Sequence, residues 1–298
     1  MSFLLEWVIQ HEAGFTIKEF LKTQCISKAA LTDIKFKGGK ILVNDQEENV
    51  RYSLKRDDHL VVLFPPELPS SGLIPESIPL NIIFEDEYIL IVQKNARMNT
   101  IPSREHPTGS LANALVDYYK KQGIEATTHI VTRLDRDTSG LVLIAKHRHI
   151  HHLLSEQQKT GDVKRKYIAI AEGEISPLRD IINEPIGRCQ DSIIKREVRE
   201  DGQTAITHYQ VLSQDVDYSI VELTLETGRT HQIRVHLSYK GHPLHGDDLY
   251  GGKRIDIDRQ ALHCFFIKFT HPVSKQTMTF TIDLPDDMKR LKQKMTKS

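Results

Sequence analysis

From Arg133 to Asp137 the chain sets four charges in five positions, RLDRD, and after Thr-Ser-Gly it runs directly into the apolar stretch LVLIAK. A carboxylate at the end of a buried strand is costly unless it is ionised and paired with a cation. Paired in that way, it can serve as a nucleophile. Residues two apart in extended backbone project to one side, so Asp135 and Asp137 share a face unless the turn separates them. On the residues alone a plainer reading stays open, in which Asp137 and Ser139 organise the turn while Arg133 and Arg136 solvate it.

TGRTHQIRVHL, residues 227–237, gathers Arg229, His231, Gln232, Arg234 and His236 where the strand VELTLE gives way to a helix. A strand-to-helix corner offers backbone N–H groups and basic side chains to an anion, and a phosphate-bearing substrate fits it. KRKY, residues 164–167, sets Lys164, Arg165 and Lys166 before Tyr167 at the start of an apolar strand. Cations beside an aromatic suit a nucleic-acid backbone with a stacked base, a plain core tyrosine being the alternative. GHPLHGDDLYGG, residues 241–252, reads as a structural turn. HRHIHH, residues 147–152, has no acid or cysteine at ligand spacing, so solvated or RNA-facing histidines are expected rather than a metal site.

The segments that must position these groups fall into two parts. PPELPSSGLIPESIP, residues 65–79, is a proline- and serine-rich stretch without periodicity and predicts a linker. Before it, residues 1–65 read as a small helix-helix-strand unit, with Ile17, Phe20 and Leu21 on one helical face, Ser27 as the N-cap of a second helix and Gly38-Gly39 as its stop. After residues 66–79, the span 80–298 shows mostly strand patterns, LNIIFED, YILIVQK, LVLIAKH, KRKYIAIAEGE, THYQVLSQ, YSIVELTLETG and TMTFTIDLP, with helices at SLANALVDYYKKQG and HQIRVHLSYKG. Strands that follow one another rather than alternating with helices predict an α+β domain around a mainly antiparallel sheet.

Composition narrows the classes. At 298 residues and 39% hydrophobic content the chain can bury a sizeable core. Its longest apolar runs are too short to cross a bilayer, and MSFLLEWVIQHEAG lacks a secretory pattern, so a cytoplasmic protein is expected. Cys25, Cys189 and Cys264 form neither a Cys-x-x-Cys pair nor a disulfide framework. The formal net charge is zero, yet residues 18–40 carry six lysines against Glu19 and Asp33, and residues 133–166 carry eight Lys/Arg against four acids. Such local excess permits an RNA partner without demanding one. No G-x-G-x-x-G, P-loop, H-E-x-x-H or G-x-S-x-G motif occurs, so chemistry without nucleotide, metal or redox cofactor is expected.

VTRLDRDTSGLVLIAK, KRKYIAI, TGRTHQIRVHL, GHPLHGDDLYGG and ALHCFFIKFTHP follow the order and spacing of the RluA-type pseudouridine synthases, which the chain resembles from about Leu80 to Asp286. The stretch from Gly14 to Asp45 resembles, more weakly, the small RNA-binding domain named after ribosomal protein S-four. The resemblance implies a synthase that isomerises uridines in structured RNA, ribosomal large-subunit RNA first and transfer RNA second, as a monomer. It implies that Asp135 is the nucleophile, that Tyr167 stacks on the uracil, and that Arg229 forms the ion pair that holds Asp135 ionised. It further implies that Arg133 enters the RNA helix when the base is flipped, with Arg136, Lys164, Lys166, His231, Gln232 and Arg234 binding substrate. Two positions depart from the family: Thr132 replaces the histidine of H-R-L-D, and Lys94-Asn95-Ala96-Arg97 stands for K-P-x-G. Both bear on which RNA is bound. The rival readings are a catalytically silent RNA-binding or ribosome-assembly factor of the same fold, and a hydrolase using Asp135 and Asp137 as paired carboxylates.

Overall fold

The computed structural model describes residues 3–10, 14–67 and 72–295. Of the proline-rich stretch, residues 68–71 lie outside the described residues.

The first unit is a four-stranded antiparallel sheet carrying two helices. Strand β1 (Leu4–Val8) pairs with β4 (His59–Leu63), which pairs with β2 (Lys40–Val43), and β2 with the short β3 (Gln46–Glu47). Helix α1 (Ile17–Thr23) starts at a capping box in which Thr16 and Glu19 bond each other's backbone N–H, and α2 (Lys28–Phe36) starts at Ser27, whose hydroxyl accepts from Ala30 N. Ile17, Leu21, Ile34, Leu60 and Val62 form its core. The edge strand β1 adds to the helix-helix-strand unit that the sequence suggests.

The second unit is built on a ten-stranded sheet. Its strands are β5 (Asn81–Glu85), β6 (Ile89–Lys94), β7 (His129–Ile130), β8 (Ser139–Ala145), β9 (Lys164–Glu172), β10 (Arg179–Asn183), β13 (Ile206–Gln214), β14 (Tyr218–Leu225), β15 (Leu262–Thr270) and β16 (Thr277–Thr281). The spatial order is β10-β13-β14-β9-β15-β8-β6-β5, with β16 on β15 and β7 on β8. All of these pairs are antiparallel except β15 with β8, in accord with the α+β expectation. A ribbon of β11 (Ile186–Arg188) and β12 (Arg196–Val198) stands apart. Helices α3 (Leu111–Gln122), α4 (Arg148–Lys159), α5 (Gln232–Tyr239) and α6 (Asp286–Met295) complete it. None is long and apolar enough to cross a membrane.

The histidines after β8, expected to be solvated or to face RNA, lie at the start of α4 and divide: His151 and His152 are partly or fully exposed, whereas the other two turn inward. Ile150 and Leu154, four apart, turn to the core, and His147 and His149 are buried with them. His147 stacks on Phe3 with ring centroids 3.9 Å apart, and His149 stacks on Phe64 at 5.5 Å. Glu67, at the end of the first unit, accepts from Arg148 N at 2.8 Å and pairs with His129 and His147. Burial opposes the charge of Glu67, yet these partners hold its pKa down to about 2. The first unit is thereby fastened to the α4 end of the second.

One sheet row matters most for function. Cys264 on β15 faces Tyr167 on β9 in one direction and Gly140 on β8 in the other. Gly140 has φ +127°, and a Cβ there would meet the Cys264 carbonyl oxygen at 2.3 Å. Only glycine lets β8 approach β15 at this point, and β8 brings with it the charged loop five residues upstream. Gly140→Ala is expected to destabilise the fold by about 3 kcal/mol or more, whereas Gly109→Ala, at positive φ with open space around it, should cost only about 1–2 kcal/mol. Urea unfolding of the two variants checks this, and equal costs would contradict the close-approach argument.

Candidate active site

The charged loop before β8 is tethered at almost every backbone position. Leu134 exchanges two hydrogen bonds with the Thr100 hydroxyl, N–H donating at 3.2 Å and C=O accepting at 2.7 Å. The Arg136 carbonyl accepts from Lys94 Nζ at 3.0 Å and from Met98 N at 3.2 Å. The Asp137 carbonyl accepts from Arg259 Nη1 at 3.2 Å, while Arg259 is itself held by Asp287 at 2.7 Å. The Thr138 hydroxyl accepts from Gln260, and the Ser139 hydroxyl meets His263 Nδ1 at 2.8 Å. Lys94 and Arg259 are buried cations placed under a loop whose carbonyls would otherwise lack donors. Burial draws the Lys94 pKa down to about 7, against the pull of Asp135 and Asp137.

On this loop Asp135 faces inward with 26% of its side chain exposed. Its Oδ2 lies 3.2 Å from Arg234 Nη1 and 4.0 Å from His231 Nε2. The expected partner, Arg229, is elsewhere: exposed in the turn before α5, it donates from Nε to the Thr204 carbonyl at 2.9 Å. The ion pair therefore belongs to Arg234, because only the helical position reaches inward beneath the loop. Arg234 is 7% exposed and is gripped from its other side by Asp247, Nε to Oδ2 at 2.6 Å and Nη2 to Oδ1 at 2.8 Å. Burial works against the guanidinium charge, but the hydrogen bonds and charge of Asp247, then the charge of Asp135, hold its pKa above the ordinary value. The ring of Tyr250 lies 4.9 Å from its centre. The glycine-rich loop, expected only as a turn, thus supplies both Asp247 and Tyr250.

Tyr167, Asp135 and Arg229 do line one pocket, of about 70 Å³, together with Arg165, Arg234 and His231. That volume is well below the several hundred Å³ of a typical ligand site. Its lining residues Arg133, Asp135, Arg165 and Arg229 also border an adjoining groove of about 470 Å³, to which Arg136, His151 and Thr230 belong. Tyr167 is buried at 4% exposure; its hydroxyl accepts from Arg165 Nη1 at 3.3 Å, and burial pushes its pKa upward, so the ring enters the pocket as a neutral phenol.

Several expected contacts fall outside this constellation for a simple reason. Along β9, Arg165 and Tyr167 point to the pocket face, so Lys164 and Lys166 point to the other. Lys166 pairs with Glu222 at 2.9 Å and Lys164 is exposed on the far side. Arg165 is the residue that the sequence reading passes over, although its spacing of two from Tyr167 is the signal that finds it. Gln232, expected at the substrate, spends its amide inside the protein: Oε1 accepts from Thr227 Oγ1 and Arg229 N, and Nε2 donates to the Ile206 carbonyl and Thr207 Oγ1. It staples the turn that displays Arg229. His236 is fully buried between Thr207 and the Glu184 carbonyl. His231 bonds the Tyr250 hydroxyl at 2.9 Å, and burial lowers its pKa against the pull of Asp135. Arg133 and Arg136 are exposed at the rim. Thr132 is buried, its hydroxyl accepting from Leu143 N, and it lines neither cavity. Among the described residues no group of three or more His, Cys, Asp or Glu side chains is arranged to hold a metal.

Comparison with known proteins fits this arrangement. Residues 88–239, just over half of the chain, match the family model described as RNA pseudouridylate synthase. The chain is 51% identical to the uncharacterized RNA pseudouridine synthase YjbO of Bacillus subtilis (strain 168) over 93% of its own length and 98% of that protein's. It is 35% identical to ribosomal large subunit pseudouridine synthase D of Neisseria meningitidis serogroup A, covering 89% of this chain and 74% of the other. The fold matches the solved structure of human RNA pseudouridylate synthase domain containing 4 with a TM-score of 0.60 at 22% identity, covering 72% of this chain and 93% of that one. Carried by the family model and by relatives matched over most of their length, the conclusion is that this chain belongs to the RluA-type RNA pseudouridine synthases, isomerases that act on RNA.

Proposed function

We propose that the chain isomerises uridines of large-subunit ribosomal RNA with Asp135 as nucleophile. The observation that carries the reading is the single pocket in which an accessible carboxylate, held by the buried Arg234, meets the ring of Tyr167. The chemistry breaks the N1–C1′ bond, turns the uracil and joins C5 to C1′, C5 giving up its proton and N1 taking one up so that substrate and product are isomers. No electron, phosphate or metal is consumed. What the reaction asks of the protein is a base held outside its stack, an aromatic against it and a carboxylate beside the sugar. The small pocket receives the uracil, and Asp135, at the boundary with the larger groove, meets the sugar that joins base to backbone. Whether the carboxylate attacks C1′ or acts through a glycal, it has to be charged, and Arg234 serves that need without occupying the exposed side of the carboxylate.

The exposed arginines divide the remaining work. Arg133, Arg136 and Arg229 ring the groove and suit phosphates, which position RNA without reading its sequence. Arg165 sits deeper, donating to the Tyr167 hydroxyl, and aims the ring. The ribosomal assignment is supported by the large-subunit enzymes among the relatives, one of them 35% identical over most of this chain. A silent RNA-binding factor would have no use for a buried guanidinium clamped between two carboxylates, one of them accessible to solvent.

Asp135→Asn is expected to abolish pseudouridine formation, by more than about 10³-fold, while RNA affinity stays within about threefold. Carbodiimide-dependent primer-extension stops on ribosomal RNA read the product, and near-normal turnover of that variant would remove the assignment. Arg234→Gln should remove activity and also destabilise the fold by about 3–5 kcal/mol, because Asp247 is left buried without its cation. Arg229→Ala should change stability by less than about 0.5 kcal/mol and act on KM. Thermal unfolding beside steady-state kinetics separates the two arginines, and a larger stability loss at Arg229 than at Arg234 would contradict the geometry.

A further inference from the structure

A second cavity, of about 1210 Å³, lies between the first unit and the catalytic sheet, on the flank of α4 turned away from Asp135. It is bordered by Lys18, Lys22, Lys28, Lys164, Lys268 and Lys275. Five of these lysines stand beside a like charge or at the positive end of a helix, although Lys22, in the last turn of α1, is also favoured by that helix's dipole. Lys18 and Lys22 are one turn apart on α1, like charges four residues apart. Lys28 is the first residue of α2, at the positive end of the helix dipole. Lys164 and Lys268 are directly opposite on the neighbouring strands β9 and β15. Among the described residues no carboxylate lies within 4 Å of any of the five. Of the acids that border the cavity, Glu19 is held mainly in the α1 capping box with Lys18 a weaker electrostatic neighbour, Glu156 pairs with Lys159, and Asp162 accepts from the Thr160 hydroxyl.

We infer that this lysine cleft binds the sugar-phosphate backbone of RNA flanking the target nucleotide; the inference deepens the proposed function and rests on it. Helix α4 is the wall between the cleft and the active-site groove. His151, Ser155 and Gln158 face the groove, whereas His152, Glu156 and Gln157 face the cleft. The two cavities are therefore separated by one helix, about 10–12 Å across with its side chains, which a single strand crosses in a few nucleotides. The cleft is a built feature because its walls are joined by the stacking of Phe3 on His147 and Phe64 on His149 and by the Arg148–Asp33 pair at 3.6 Å. A polyanion laid here relieves the repulsion within each lysine pair and releases its own counterions.

The test uses the full-length chain and a fluorescein-labelled single-stranded RNA of about 30 nucleotides, bound at a series of salt concentrations. Lys22→Gln/Lys268→Gln removes two cleft charges, and Lys55→Gln/Lys121→Gln removes two exposed charges outside the cleft. The cleft pair is expected to weaken binding about tenfold or more near 0.1 M salt and to lower the log–log salt slope by about 1.4, two phosphate contacts at about 0.7 each, while the control pair leaves both unchanged. All four sites are exposed, and unchanged melting temperatures verify the fold. A cleft pair that binds like the control overturns the inference and leaves the cavity to a different occupant. Pseudouridine formation scored in the same preparations keeps the two readings apart: normal modification without the cleft effect removes the cleft alone, and the cleft effect without modification removes the enzyme assignment alone.

Discussion

A buried guanidinium shared by two carboxylates is the interaction on which the rest of the site depends. Arg234 cannot be taken out of water without a partner, and Asp247 supplies the bidentate one from the glycine-rich loop. That leaves Nη1 for Asp135 on the opposite side. The division is uneven. Asp247 is 1% exposed and neutralises Arg234 structurally, whereas Asp135 keeps a quarter of its surface open and is free to meet a substrate. Three elements distant in sequence, the loop before β8, α5 and the 241–252 loop, are pinned at one point by this charge set.

Geometry around the pair is set from below. Lys94 and Arg259 take the carbonyls of Arg136 and Asp137, Thr100 takes both backbone groups of Leu134, and the Gly140–Cys264–Tyr167 row holds the loop at a fixed register from the aromatic ring. A carboxylate poised this way loses little orientational freedom on reaching its transition state. In the proposed reaction the charges that crowd the mouth of a buried strand have separate duties: Asp135 acts and Arg133 and Arg136 face the RNA, while the backbone of the last two charged positions is the handle by which buried cations hold the loop.

Much of the architecture was legible in the sequence. Strand patterns located β5, β6, β8, β9, β13, β14 and β16 but passed over β7, β10, β11, β12 and the central strand β15, while Ser27 marked a helix start and the adjacency of strands implied an α+β sheet. The motifs named residues that the fold brings to one pocket, Asp135, Tyr167 and Arg229 among them. What they could not assign was partnership across long separations. Arg229 and Arg234 lie in one motif and differ by less than two helical turns, yet which of them meets Asp135 depends on where α5 begins and on Asp247, a residue that looked like part of a turn. The alternation within KRKY selected Arg165 over its neighbouring lysines, a distinction that charge composition hides. HRHIHH misled at His147 and His149, because its polar letters mask an amphipathic helix whose first two histidines are buried against Phe3 and Phe64 of the first unit. Nothing in the sequence marks Lys94 as buried, since its three carbonyl acceptors, one of them 42 positions away, are brought together only by the fold.

The proposed chemistry requires Asp135 and Arg234 to act as one device. Single-turnover rates of pseudouridine formation on one large-subunit RNA fragment, measured for Asp135→Asn, Arg234→Lys and the double variant, test this most directly. If the guanidinium works through the carboxylate, the double variant reacts no more slowly than Asp135→Asn alone. Losses that multiply would contradict it and assign the two residues independent parts in the reaction.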